Sequence, residues 1–164
     1  MAAAASPYIR HLICADACQV ELEMPEAIRV LFPDRMRRAR RSMERAAACH
    51  GGEGLHTAGG VLRVVLPLAG EEGCPPGEAL VNRLVRQCHA PVLPHVAARR
   101  LKIGAETLKA LGARGLAPSL QVPAFRHGRR YTLRAFSLSD MEALARHLAN
   151  DSATGGVRPG DSKE

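Results

Sequence analysis

The stretch from Pro118 to His147 constrains this chain most, because it spells strand, tight turn, strand and capped helix in one pass. Ser119 to Phe125 is extended and mixed apolar. His127-Gly128 stands where a turn needs residues that tolerate positive φ. Tyr131, Leu133 and Ala135 then alternate with Arg130, Thr132 and Arg134, the period of a strand with one buried face. The following helix opens on Ser139-Asp140-Met141-Glu142, where Ser139 and Glu142 have the spacing of a capping box. Met141, Leu144, Ala145 and Leu148 form its apolar stripe.

Upstream, Tyr8 to Cys14 is a short apolar strand. Pro25 suits the first turn of a helix with Ile28, Leu31 and Phe32 on its apolar face. Pro33 interrupts or restarts that helix, since a mid-helix proline loses a hydrogen bond and clashes one turn back. A second helix from Asp34 to Cys49 turns Met36, Ala39, Met43 and Ala46 inward and ends at Gly51-Gly52. His50 to Gly60 reads as a Gly-rich loop. Val61 to Leu68, nearly all apolar, reads as a central strand covered on both faces.

Glu71 to Gly77 is a turn, and Glu78 to Cys88 is a helix with Leu80, Val81, Leu84, Val85 and Cys88 on one side. Pro91 and Pro94 break it. His95 to Ile103 is ambiguous, and Gly104 to Leu111 is a short helix closed by Gly112. Asn150 to Glu164 is polar and uncapped, a flexible tail. No internal repeat is visible. The order is strand, helix, strand, helix, strand, strand, helix. That order describes one α/β domain over residues 1–149: a β-α-β unit and a β-β-α unit sharing a four-stranded mixed sheet.

Lys+Arg outnumber Asp+Glu by 23 to 16, and the resulting net charge of +7 points to a polyanionic partner. Arg35, Arg37, Arg38, Arg40, Arg41 and Arg45 crowd one helix, spread over most of its circumference. Such guanidiniums repel one another until an anion neutralises them, and their rigid fork suits phosphate. Arg99, Arg100 and Lys102 form a second cluster. Arg126, Arg129, Arg130 and Arg134 form a third around the hairpin turn. Contacts of this kind address the backbone and shape of structured RNA rather than base identity. Aromatic residues are only 3% and Trp is absent, so base-stacking platforms are scarce.

No apolar run reaches the ~20 residues that span a bilayer. Met1 to Ala5 lacks the apolar core of a secretory signal, and a strand from Tyr8 leaves little room for a long presequence. Five cysteines, an odd number, fit reduced thiols in an intracellular compartment.

Tyr8-Ile9-Arg10-His11-Leu12-Ile13-Cys14, then Ala27-Ile28-Arg29-Val30-Leu31-Phe32-Pro33, resemble the strand and helix that open one family. Ala117-Pro118, then Arg126-His127-Gly128-Arg129-Arg130 and Leu138 to Leu148, resemble its proline-led strand, glycine turn, second strand and closing helix. The family is that of the small thioredoxin-fold proteins of the mitochondrial ribosome, which has a relative in the small accessory B subunit of respiratory complex I. The match covers the two ends of the chain. Residues 34–60 and 75–115 depart from it and look like insertions. The resemblance implies a thioredoxin-like fold and a non-catalytic structural role in the large subunit, in the mitochondrial matrix. Ribosomal RNA and neighbouring ribosomal proteins would be its partners, with no cofactor and no small-molecule substrate.

Four enzymatic or ligand-binding readings stand beside it. Cys14 and Cys18 lie where a thioredoxin-like enzyme carries its redox pair, but three residues separate them instead of two. The wider spacing does not set one thiolate at a helix N-terminus with the other ready to resolve a mixed disulfide. Cys14, Cys18, Cys49, His50, Cys88 and His89 are zinc-ligand types without a second paired knuckle. Ser42, Ser119, Ser137 and Ser139 have no nucleophile-elbow context, and His50-Gly51-Gly52-Glu53-Gly54 lacks the lysine-serine or lysine-threonine ending of a phosphate loop. The alternatives to a ribosomal role are an accessory subunit of a respiratory-chain complex and a thiol-dependent redox protein using Cys14 and Cys18.

Overall fold

A computed structural model describes residues 6–69, 75–117 and 119–154. The chain divides into two compact units at the Ala90–Pro91 bond. Pro118, most of the expected 71–77 turn and the last ten residues of the expected tail lie outside the described residues.

The first unit is built from two hairpins and three helices. Strand β1 (Ile9–Ile13) turns back at once into β2 (Ala17–Glu23). Helices α1 (Glu26–Leu31) and α2 (Pro33–His50) follow, with Pro33 at the first position of α2, where its missing N–H costs nothing. Strands β3 (Glu53–Ala58) and β4 (Val61–Pro67) form the second hairpin, and α3 (Pro76–Cys88) closes the unit. The sheet order is β1-β2-β4-β3, and every neighbouring pair is antiparallel.

The α/β class holds, but the expected mixed sheet does not. Two unanticipated strands account for the difference. In β2, Cys18, Val20 and Leu22 alternate with Gln19, Glu21 and Glu23, and the first three are buried. That strand pairs antiparallel with both β1 and β4, so the expected parallel β-α-β unit is not formed. Strand β3 replaces the Gly-rich loop expected over His50 to Gly60. It lies at the sheet edge and is almost wholly exposed, so it carries no apolar period to betray it. The final hairpin joins neither strand and forms a two-stranded sheet of its own.

Helices cover one face of the four-stranded sheet. In β4, Leu62, Val64 and Leu66 are buried while Val61, Arg63 and Val65 are not, so the strand is covered on one side rather than both. Ile28, Phe32, Ala39, Met43, Leu80, Leu84 and Cys88 complete that core. The other face carries a charge lattice centred on Glu21. Its Oε1 accepts from Arg63 Nε at 2.8 Å and from Gln19 Nε2 at 2.7 Å. Arg10 lies 3.9 Å from Oε2, and Glu21 is only 7% exposed. A carboxylate enclosed this way needs such partners, because an unpaired buried charge is costly.

The second unit holds α4 (Pro94–Leu101), α5 (Ala105–Ala113), β5 (Leu120–Arg126), β6 (Arg129–Ala135) and α6 (Leu138–Thr154). The ambiguous His95–Ile103 segment is therefore helical as far as Leu101. Helix α6 continues to Thr154, beyond the point where the tail was expected to begin. Its cap lies two residues earlier than expected. Asp140 N donates to Ser137 Oγ at 3.1 Å while Asp140 Oδ2 accepts from Ser137 N at 2.9 Å, so Ser137, not Ser139, starts the box. Ser139 stands inside the first turn. An antiparallel bridge ties the start of this unit to the end of β6: Val92 N donates to the Phe136 carbonyl at 2.8 Å and Phe136 N to the Val92 carbonyl at 2.7 Å.

Candidate nucleic-acid interface

The three basic clusters fare differently. On α2, helical geometry places Arg37, Arg41, Arg45 and Arg38 within about 100° of arc. All four are exposed, and the opposite side of the helix buries Ala39, Ser42, Met43 and Ala47. The arginines thus form one face rather than covering most of the circumference. Asp34 stands at its N-terminal end. Arg40 lies beside that face and is paired with Glu44 at 3.0 Å.

Arg35 has another task. Its Nη1 donates to the carbonyls of Cys88 at 3.0 Å and Ala90 at 2.7 Å, and its guanidinium lies 4.8 Å from the Phe32 ring centroid. It satisfies carbonyls that the end of α3 leaves without helical donors. Beyond the arginine face, Arg45 and His50 from α2 and Arg83 from α3 line a cleft of about 200 Å³. Arg83 escaped the sequence reading because it is one cation in a mixed helix, and only the packing of α2 on α3 brings it to Arg45.

Arg99 and Arg100 occupy the last turn of α4, where cations offset the negative end of the helix dipole. Lys102 caps the same helix with φ +56°. A local structural role thus accounts for much of this cluster.

The hairpin is a largely exposed basic element. His127 and Gly128 both have positive φ, +49° and +73°, which gives the primed two-residue turn that suits strand twist. Direct pairing of Arg126 with Arg129, Ala124 with Tyr131 and Val122 with Leu133 puts these side chains on one face. Phe125, Arg130, Gln121 and Arg134 share the other. The apolar face is less covered than its alternation suggests: Tyr131 is 39% exposed, and only Ala135 in β6 is buried. Phe125 is 68% exposed, with the Arg130 guanidinium 5.5 Å from its ring centroid. The sequence carries no Asp or Glu between Glu106 and Asp140. Aromatics are scarce in the chain, yet two of its five stand exposed on this one ribbon.

The thiols are arranged unlike a redox pair at a helix start. Cys14 lies in the β1–β2 turn, where its amide donates to the Ala17 carbonyl at 2.8 Å. Cys18 points from β2 into the core, and burial pushes its thiol pKa up. Cys88 is fully buried at the end of α3, and burial raises its pKa to about 11. Cys14, Cys18, Cys49 and Cys88 are all free thiols. Among the described residues, no group of three or more His, Cys, Asp or Glu side chains is placed to hold a metal ion.

One serine–histidine contact stands out. Ser6 Oγ is 2.6 Å from His89 Nε2, and the same oxygen accepts the Tyr8 amide at 3.2 Å. The His89 ring stacks on Tyr8 at 5.5 Å. This contact ties the start of β1 to the end of α3. Burial, and secondarily the Arg35 charge, hold the His89 pKa below its ordinary value. The unfolded chain therefore binds the proton more readily. Stability of the first unit should be full above about pH 6.5 and fall as pH drops through the window below it. Urea midpoints between pH 7.5 and 5 should fall less for His89→Gln than for the wild type; equal slopes would refute the assignment.

No helix among the described residues is long and apolar enough to cross a membrane. Comparison of the chain with protein-family models, with curated proteins and with solved structures finds no match in any of the three.

Proposed function

We propose that this chain is a non-catalytic structural component of a ribonucleoprotein, binding structured RNA through its basic faces and neighbouring proteins through its remaining surface. The particle named by the terminal sequence resemblance is the large subunit of the mitochondrial ribosome. The observation that carries the reading is the α2 face, on which Arg37, Arg38, Arg41 and Arg45 project from a helix whose other side is fixed in the core. Rigid cations on one face meet successive phosphates without the ordering cost of a mobile tail. The hairpin adds Arg126, Arg129 and Arg130 next to Phe125 and Tyr131, a combination that holds phosphate and stacks on an unpaired base. Arg35 is spent inside the fold and is no part of the contact.

The test has two arms. Purified protein should bind structured RNA with an affinity that falls steeply with salt, at a log–log slope of about −0.7 to −0.9 per phosphate neutralised. The native protein should sediment with the large ribosomal subunit from mitochondria. Salt-independent or absent RNA binding would refute the RNA contact. Migration with a respiratory complex on native fractionation would replace the ribosome by that particle.

A further inference from the structure

A cavity of about 300 Å³ opens in the second unit among α4, α5 and β6. Its volume is at the lower end of the range for small-molecule sites. The buried side of the cavity is apolar: Leu108 and Ala117 are 5% exposed and Phe136 3%. Lys109, Arg134 and His95 also line it, and all three residues are exposed, which puts the cationic part of the lining on its solvent side. Among the described residues, no carboxylate lines the cavity. An apolar pocket with a cationic mouth complements a molecule with an apolar body and an anionic head.

We propose that this cavity binds a small amphiphilic anion of the medium-chain carboxylate class. The apolar body lies against Leu108, Ala117 and Phe136, and the head group meets Arg134 and Lys109 at the mouth. The proposal goes beyond RNA contact and uses different groups. Arg134 stands five residues along β6 from Arg129, about 17 Å in an extended strand, so the site and the hairpin tip are separate.

The probe is decanoate below its micellar concentration, titrated into the isotope-labelled full chain while amide shifts are followed. Saturable shifts confined to the lining residues are expected. Arg134→Gln and Lys109→Gln should each weaken decanoate about tenfold, the scale of one charge-assisted hydrogen bond. Decanol, with the same chain and no charge, should bind at least tenfold more weakly than decanoate. Ala105→Trp places a large ring at an exposed lining position. It should abolish decanoate binding while amide dispersion and RNA affinity stay unchanged. Decanol binding as tightly as decanoate would overturn the proposal, as would full binding by Ala105→Trp or by the charge variants. Absence of saturable shifts would also overturn it, whether a segment of this chain or a second copy fills the groove; the second copy would reveal itself by concentration-dependent shifts.

Discussion

Gly77→Ala should destabilise the first unit, although the same change near the start of a helix ordinarily helps. Gly77 is the second residue of α3, and alanine there should gain up to about 1 kcal/mol from helix propensity alone. The space denies it. A Cβ on Gly77 would overlap Cys18 Sγ and stand 2.7 Å from His11 Nε2. His11 is exposed and can swing aside, but Cys18 is 3% exposed and fixed in β2. Overpacking of this kind costs about 1–3 kcal/mol, so a net loss of about 1–2 kcal/mol is expected. The background decides the cause. In a Cys18→Ala protein the sulfur is gone, and Gly77→Ala should become neutral or stabilising. Urea unfolding of the two single variants and the double variant gives the coupling directly. A Gly77→Ala cost that persists undiminished without the sulfur would refute the explanation.

The largest functional effect is expected from the α2 face. Replacing Arg37, Arg38, Arg41 and Arg45 together by glutamine should weaken binding to structured RNA about a hundredfold near physiological salt. It should also flatten the log–log salt slope by about 3, as four lost phosphate contacts require. Stability should barely change, because all four side chains are exposed and glutamine is a good helix former. Arg35→Gln gives the opposite pattern. It removes the donors to the Cys88 and Ala90 carbonyls, so stability should fall while RNA affinity holds. Unchanged RNA affinity in the fourfold variant would remove the α2 face from the contact.

What the sequence revealed depended on whether a segment's environment was local. Helices α2 and α3 were legible because their apolar residues recur at helical spacing; Pro33 and Gly51 mark the ends of α2, whereas Pro76, expected in a turn, is the first residue of α3. The hairpin turn was legible because His127-Gly128 encodes its own backbone. Strand β2 carries a clear alternation at Cys18, Val20 and Leu22, but Cys18 also pairs in sequence with Cys14, and a thiol motif competes with a strand for the same residues. Strand β3 left no readable trace. Its pairing is supplied by β4, and Gly54, His56 and Thr57 bury little. The arginine cluster was visible as composition, yet separating Arg35 from its neighbours needed the end of α3, more than fifty positions away in sequence. Lys109, Arg134 and His95 meet only through packing of elements distant in the chain.

The register of the last hairpin limits how this protein can diverge. His127 and Gly128 alone close the loop, and one residue inserted within β6 and kept in the strand would slip its register by a step and turn each side chain beyond it to the other face. Tyr131 and Leu133 would then trade places with Arg130 and Arg134. Related chains are free to exchange individual arginines for lysines, or valine for isoleucine, along the ribbon. They are not free to gain a single residue inside either strand without a bulge to absorb it, because the charged and apolar faces beyond that point would exchange.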